Sequence, residues 1–289
     1  LEQSPIRHRV NSFVLGDTYL LGSGTVSSFR GTINRTNIRR FAAEVNGFLS
    51  ISELGAQVYD PIPNAGSVNV TNGFTYRGGG NNVPGHYNTT SLQLAQDINM
   101  VRGLHQLGFG VNYIRQYLNT EQNIATVPGF SFNGQVTNLG LADFLLGKPS
   151  SYAQGNPQSV FNRTNYIALY IQDSWKASSR LTLNGGIRWE PYLPQYSKRE
   201  KSNHFDRALF DQGVRSKVYP NAPAGLVFPG DPGMPEKAFG LNRWFDFAPR
   251  LGLAWDPAGD GKTSLRAAWG MFYDYPHLYN YLGFSQAPP

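Results

Sequence analysis

Residues 166–190 read YIALYIQDSWKASSRLTLNGGIRWE and contain the most regular pattern in the chain. In the second half of this stretch apolar residues alternate with polar ones, and the apolar residues are Leu181, Leu183, Ile187 and Trp189. Successive side chains of a strand point to opposite faces of a sheet, so the alternation predicts a strand with one apolar and one polar face. Residues 177–179 form a turn after a first strand over 166–176, and the whole stretch therefore predicts a β-hairpin.

The same pattern recurs along the chain and predicts four hairpins, at about residues 11–36, 91–117, 165–190 and 248–274. The first is the least regular, because Asp17 falls on the same face as Phe13 and Leu15. Each predicted strand is about ten to twelve residues long, which suits the roughly 9–11 residues that a tilted strand needs to cross a bilayer. The chain is therefore predicted to be all-β, with about eight strands in an antiparallel meander.

Long links connect these hairpins, over residues 37–90, 118–164 and 191–246. Structureless links of that length are uncommon in compact domains, but an outer-membrane barrel combines short periplasmic turns with long extracellular loops. Aromatic residues at the strand ends also match the interfacial girdles of such barrels: Trp175, Trp189, Trp255 and Tyr273. We therefore predict an antiparallel transmembrane β-barrel fragment in the bacterial outer membrane, with a soluble β-sandwich as the alternative. A short helix or strand is expected inside the second link, at residues 139–146.

The composition removes several other classes. The chain of 289 residues has no cysteine, which excludes disulfides and thiolate metal sites. No apolar run approaches the roughly 18–20 residues of a membrane-spanning helix. The formal net charge of +6 comes from scattered basic residues and not from a contiguous basic stripe, so we expect no nucleic-acid partner.

The sequence also lacks the motifs of common catalytic and metal sites. Residues 256–263, DPAGDGKT, have Asp256 where a phosphate-binding loop needs its first glycine, and they lack the ligand spacing of an EF-hand. A hairpin turn is the better interpretation. The five histidines are dispersed without metal-ligand spacing, and the carboxylates of Asp143 and Asp231 have no recognisable acid–base partner. We expect neither enzyme activity nor a cofactor or metal.

Charged residues at the polar strand positions are the candidate functional residues. In a barrel they are predicted to face the wet lumen, and they are Arg180, Arg188, Glu190, Arg250, Asp256, Arg266 and Asp274. Charges inside a barrel pair across strands, contact a plug or line the path of a solute. We expect cross-strand pairing, with Arg250 close to Asp274 or Asp256 close to Arg266.

Several motifs, taken in order, go beyond this pattern. They are LADFLLGKP at 141–149, YIALYIQDSWK at 166–176, RLTLNGGIRWEP at 180–191, YPNAPAGLVFPGD at 219–231, APRLGLAWDP at 248–257, GDGKT at 259–263 and RAAWG at 266–270. This ordered set resembles the barrel region of Oar-like TonB-dependent receptors, a group typified by acidobacterial proteins. The resemblance covers roughly residues 10–275.

The resemblance implies an outer-membrane transporter with a barrel of about 22 strands. Such receptors have a plug domain in the lumen and take energy from the TonB complex. We expect this chain to supply about a third of the barrel, without the plug and the C-terminal strands. The expected partners are outer-membrane lipid, the protein's own plug, the TonB complex and an unknown solute such as a siderophore, an oligosaccharide or a peptide. The alternatives are a structural or adhesive cell-surface β-protein without transport, and a passive porin.

Overall fold

The fold was analysed in a computed structural model that describes residues 5–41, 49–78, 83–123, 126–198, 203–235 and 239–274. These residues form 15 strands and two short helices. In chain order the strands are β1 (Ile6–Leu20), β2 (Thr25–Arg40), β3 (Gly66–Val70), β4 (Thr75–Gly78), β5 (Gly85–Arg102), β6 (His105–Gln122), β7 (Gly129–Phe132), β8 (Ser151–Ala153), β9 (Gln158–Lys176), β10 (Leu181–Trp189), β11 (Tyr196–Ser197), β12 (His204–Phe205), β13 (Leu226–Val227), β14 (Phe247–Trp255) and β15 (Leu265–Gly270). The helices are α1 (Gly140–Leu145) and α2 (Arg207–Asp211).

Eight long strands form the main sheet in the order β1-β2-β5-β6-β9-β10-β14-β15, and the short strand β11 pairs with β9 beside them. Neighbours in this order are joined alternately by tight turns and by long links, so the sheet is a meander of four hairpins. The predicted all-β class and the predicted number of meander strands are confirmed. Among the described residues the sheet is open, because β1 and β15 each pair on one side only.

Several strands are longer than the predicted ten to twelve residues, whereas β10 and β14 have nine residues and β15 has six and ends at Gly270 instead of residue 274. β5 and β6 each have 18 residues and β9 has 19. The extra residues lie toward the long links and carry polar side chains on both faces, such as Thr164 and Asn165 on β9. A pattern of apolar residues cannot reveal this part of a strand, because neither face is apolar there.

The chain divides into two compact units. One unit contains Leu1–Val10, Thr36–Asn88 and Asn119–Val160. Its own four-stranded sheet has the order β4-β3-β7-β8, and helix α1 confirms the short element expected at residues 139–146. The first two links therefore contain a small sheet and a short helix and are not structureless throughout. Buried apolar side chains fill the core of this unit: Ile51, Ile62, Val70, Val83 and Phe132.

The second unit contains Asn11–Arg35, Thr89–Leu118 and Phe161–Pro289. In it, Ile187 of β10 lies opposite Ile171 of β9 on one side and Pro249 of β14 on the other. Leu251 of β14 lies opposite Trp269 of β15. Directly opposed residues share a face, so one face of this part of the sheet is apolar from β9 to β15.

This apolar face is exposed. Ile171 exposes 56% of its surface, Leu251 60% and Trp269 58%. In a β-sandwich a second sheet would cover such a face, so the sandwich alternative is wrong for these strands. A continuous apolar surface of this kind marks a contact with lipid or with another protein.

Neither helix in the described part of the chain is long and apolar enough to cross a membrane.

Candidate functional site

The register of the second unit places the predicted charged residues together on the polar face. Arg188 lies opposite Ala248, Arg250 opposite Gly186, and Arg266 opposite Ala254. All are offset by one residue from the apolar positions of their strands, so they project from the other face.

The remaining predicted residues lie just beyond the ends of these strands. Each is an even number of positions from a charged residue of its strand and therefore shares its face. Arg180 and Asp256 continue the register of β10 and β14, because the Asp256 amide donates a 2.9 Å hydrogen bond to the Arg180 carbonyl. Glu190 follows β10, and Glu190 and Asp274 line one cavity on this face. The structure thus brings all seven residues to one face of the sheet.

The ion pairs expected between these residues do not form. Within the described residues, Arg250 and Asp274 are not paired, and the Arg250 guanidinium lies 4.7 Å from the centre of the Phe272 ring. Asp256 does not pair with Arg266 either. Its two carboxylate oxygens accept the amides of Gly259 and Gly261 at 2.7 and 2.9 Å.

The physical reason is the turn between β14 and β15. Gly259 and Gly261 adopt φ values of +71° and +73°, which leaves turn amides without strand partners. A carboxylate that precedes such a turn accepts hydrogen bonds from these nearby amides and does not reach a more distant guanidinium. Asp256 is therefore a structural residue of the turn.

A different ion pair holds the centre of the polar face. Nε of Arg188 lies 2.9 Å from Oε2 of Glu190, two residues away on the same face. The Tyr166 hydroxyl donates to the same carboxylate oxygen at 2.7 Å and accepts from Nη2 of Arg188 at 2.8 Å. We call Tyr166, Arg188 and Glu190 the Tyr–Arg–Glu cluster. Its Arg and Glu side chains are only 21% and 11% exposed, so the pair is partly shielded from water.

A second group of charges lies beside this cluster. Tyr170, which is opposite Arg188, donates a 2.7 Å hydrogen bond to Asp97, and Arg30 pairs with the same carboxylate at 3.1 Å. The absence of a side chain at Gly110 makes room for this contact. A Cβ atom there would lie 2.7 Å from the Tyr170 ring and 2.8 Å from Oδ1 of Asp97.

A cavity of about 530 Å³ opens on the polar face next to the Tyr–Arg–Glu cluster. Its lining includes Tyr166, Glu190, Asp246, Arg243 and Asp274. Arg243 and Asp246 form an ion pair of 3.1 Å. The cavity therefore offers carboxylates, a guanidinium and aromatic rings within one space, which suits a polar ligand of mixed character.

Sequence reasoning missed three of these residues. Tyr166 begins the strand predicted over 166–176, and because residues 166–171 are all apolar or aromatic they do not show which face of the strand is polar. Arg243 and Asp246 lie in the third long link, which has no periodicity that could show where a side chain points. Their contribution depends on the backbone bridge between Tyr192 and Arg243, which the structure alone reveals.

The two loop carboxylates have structural roles. Asp143 is fully buried in the first unit and accepts hydrogen bonds from the Thr137 hydroxyl, the Thr137 amide and the Val136 amide at 2.7, 2.9 and 3.2 Å. The Thr137 hydroxyl has the largest effect, and together these bonds lower the pKa of Asp143 although burial acts to raise it.

Asp231 of the second unit behaves in the same way. Burial has the largest single effect and raises the pKa of the carboxyl, but hydrogen bonds from Ser216, Phe228, Lys217 and Val218 outweigh it and the pKa is lowered. The Lys217 and Phe228 amides donate at 2.7 and 2.9 Å. Both carboxylates thus hold loops in place and are not poised for proton transfer.

The histidines do not assemble a metal site in the described part of the chain, where no three His, Asp or Glu side chains come together. His105 instead bonds to Asp173 at 2.6 Å and stacks on Trp175, with ring centres 5.6 Å apart. His277 lies outside the described residues.

A meander of long strands with an exposed apolar face and a charged, hydrogen-bonded polar face defines an integral β-barrel protein of the bacterial outer membrane. The sequence comparison agrees, since residues 3–289 match the family described as outer membrane beta barrel domain. The chain belongs to this family, and the predicted location in the bacterial outer membrane is confirmed. Barrels of this kind are typically non-enzymatic. No curated protein matches the chain.

Proposed function

We propose that the chain forms part of the barrel of a TonB-dependent receptor that moves a large or scarce solute across the outer membrane. The ordered motifs between residues 141 and 270 support this proposal through their resemblance to Oar-like receptors. Family membership supports the barrel itself and is silent on the energy source.

The observation that carries the proposal is the open sheet. Eight long strands pair in sequence order, yet β1 and β15 remain unpaired on their outer sides within the described residues. An eight-stranded barrel would close between these two strands and leave an interior just wide enough for side chains. An arc that stays open suits a wider barrel, and barrels of about 22 strands are those that hold a plug.

The polar face supplies the second support. Inside a wide barrel the Tyr–Arg–Glu cluster, the Arg30–Asp97 pair and the nearby cavity form part of the wall of the lumen. Their charges are already paired and hydrogen-bonded, so a solute or plug meets a preorganised polar surface. The mixed lining of the cavity favours an oligosaccharide or a peptide, while a siderophore remains a candidate solute.

In this proposal the partners are outer-membrane lipid, the plug domain of the same receptor, the TonB complex and the solute. The long links between the hairpins capture the solute at the cell surface. Displacement of the plug then opens the path, and no covalent chemistry takes place.

Uptake measurements in living cells test the proposal. We expect deletion of the gene to reduce the uptake of at least one labelled siderophore, oligosaccharide or peptide, and complementation to restore it. In a complemented strain without TonB the uptake of that solute stays low, because transport needs the energy of the inner membrane. Uptake that persists without TonB would indicate a passive porin. Unchanged uptake of every solute, together with altered adhesion or envelope integrity, would favour the structural alternative.

A further inference from the structure

Arg115 of β6 and Arg163 of β9 lie on the apolar face of the sheet, where a charge is costly. On β9, Arg163 precedes the apolar residues of this face, Ile167, Leu169 and Ile171, by an even number of positions and so shares their face. On β6, Arg115 reaches the same side, because its Nη1 donates a 2.7 Å hydrogen bond to Oδ1 of Asn165. The alternate residues of both strands, such as Gln116 and Thr164, line the cavity on the opposite face.

Tyrosine rings hold these arginines in a ladder. The Arg115 guanidinium lies between Tyr117 and Tyr196, at 5.2 and 5.4 Å from the ring centres, and it donates to the Tyr196 hydroxyl. Arg163 lies 5.0 Å from the centre of the Tyr117 ring. We call Arg115, Tyr117, Arg163 and Tyr196 the Arg–Tyr ladder. Stacking on aromatic faces fixes both guanidinium planes without neutralising their charge.

No carboxylate balances these two charges within the described residues. Arg163 donates to two backbone carbonyls, that of Leu118 at 3.1 Å and that of Asn162 at 2.8 Å. Two arginines of the polar face, Arg30 and Arg188, each pair with a carboxylate, whereas Arg250 on that face lies over the Phe272 ring. The two positive charges lie beside the same tyrosine ring and repel each other. A bound anion would remove this repulsion and stabilise the ladder.

The height of the ladder identifies where that anion is found. Trp175 marks the end of the apolar face near the short turns, and His105 stacks on it. Along tilted strands, with a rise of about 3.4 Å per residue and a tilt of about 40°, Arg115 lies about 26 Å above His105 and Arg163 about 31 Å above Trp175. The apolar band of an outer-membrane barrel is about 25 Å tall, so both arginines reach the headgroup layer on the side of the long links.

We propose that Arg115 and Arg163 bind the phosphate of an anionic lipid headgroup in the leaflet next to the long links. Arginine binds phosphate with two parallel hydrogen bonds, and the tyrosines of the ladder present rings to the sugar or glycerol of the same headgroup. Basic pockets between transmembrane helices bind anionic headgroups by the same charge attraction. The proposal requires the outer-membrane location but not transport, so the failure of one leaves the other intact.

Lipid binding to the protein folded in detergent tests the proposal. The probe is lipid A, which carries two phosphates, and native mass spectrometry gives the bound number and the Kd. We expect the double variant Arg115→Gln/Arg163→Gln to bind lipid A at least tenfold more weakly. The matched control is Arg250→Gln/Arg266→Gln, which removes two charges from the opposite face and should bind like the unchanged protein.

Further binding measurements show whether the phosphate must belong to a lipid, and a folding control excludes misfolded variants. Lipid A without its phosphates should bind weakly to the unchanged protein, and inorganic phosphate should not displace lipid A at millimolar concentration. The variant Arg115→Lys/Arg163→Lys keeps the charges but loses the planar fork, and we expect intermediate affinity for lipid A. Heat-modifiable migration in gels shows that each variant is folded. Equal binding by the folded Gln variant and the unchanged protein would overturn the proposal, as would efficient displacement by inorganic phosphate.

Discussion

Two adjacent alanines on β15 provide a direct test of which face contacts lipid. Ala267 lies opposite Leu253 on the apolar face, and Ala268 lies opposite Gly252 on the polar face. Both residues are exposed, and both begin as the same small side chain. Substitution of each by arginine therefore places an identical charge on opposite sides of one strand.

The depth of Ala267 sets the expected cost. Its partner Leu253 is two residues from Trp255, which places Ala267 about 5 Å inside the girdle of a strand tilted by about 40°. An arginine facing lipid costs about 2–4 kcal/mol at the midplane and about 0–1 kcal/mol at the interface. With about 12 Å from girdle to midplane, interpolation gives about 1.5 kcal/mol for Ala267→Arg, or roughly 13-fold in the unfolding equilibrium. Ala268→Arg should change the free energy of unfolding by less than about 0.5 kcal/mol.

Reversible urea unfolding in lipid vesicles, followed by tryptophan fluorescence, measures both values. Equal costs for the two variants would refute the assignment of the faces, and a larger cost for Ala268→Arg would reverse it. A loss of folding in both variants would indicate a packed interface on each face, which also contradicts the account.

Three further predictions concern the polar face and the loops. Glu190→Gln should destabilise the folded protein by about 1–3 kcal/mol in urea unfolding, because it leaves the shielded Arg188 without its anion. The control Arg30→Gln, at a side chain that is 65% exposed, should cost less than about 1 kcal/mol. Equal costs would contradict the central role of the Tyr–Arg–Glu cluster. Gly110→Ala should lower the free energy of unfolding by about 1–3 kcal/mol, since the new Cβ atom would lie less than 3 Å from Tyr170 and Asp97. Gly185→Ala should be tolerated, because the nearest atom to its Cβ would be 4.0 Å away. The reverse order of the two costs would show that the register is wrong. Because the pKa values of Asp143 and Asp231 are lowered, their contribution to stability is complete above the ordinary carboxyl pKa of about 4 and is lost as the pH falls through the lowered values. Protease cleavage of the loops should therefore become faster below about pH 4, and Asp231→Asn should weaken this pH dependence around residues 216–231. A cleavage rate that is independent of pH would contradict the structural role of both carboxylates.

Much of the sheet could be predicted from the sequence, because alternation reports directly on the two faces of a strand. Ile187 and Arg188 lie on the faces that their parity indicated, and the eight long strands pair in the predicted meander. The predictions were least complete where neither face is apolar. The parts of β5, β6 and β9 near the long links carry no apolar periodicity. The strands of the sheet β4-β3-β7-β8 are only three to five residues long, so an alternation such as that of Val68 and Val70 is too short to distinguish strand from loop.

The side-chain partners could be predicted only in part. The sequence indicated that Arg250 and Asp256 share a face, but their partners depend on distances that a register alone does not set. The Asp256 carboxylate accepts hydrogen bonds from two turn amides, and the Arg250 guanidinium lies over the Phe272 ring. The arginines of the Arg–Tyr ladder escaped the sequence analysis because they lie beyond the apolar stretch that defined each strand. Their significance depends on which face they share and on the carboxylates that they lack.

The most direct test of the whole account is a cysteine scan along β10, which is clean because the chain has no cysteine of its own. A spin label at each position reports contact with oxygen, which concentrates in lipid, or with a water-soluble nickel complex. We expect contact with oxygen at Leu181, Leu183 and Ile187, and contact with the nickel complex at Thr182, Asn184 and Arg188. An absence of this two-residue period in a membrane-inserted protein, or the same period with the faces exchanged, would contradict it.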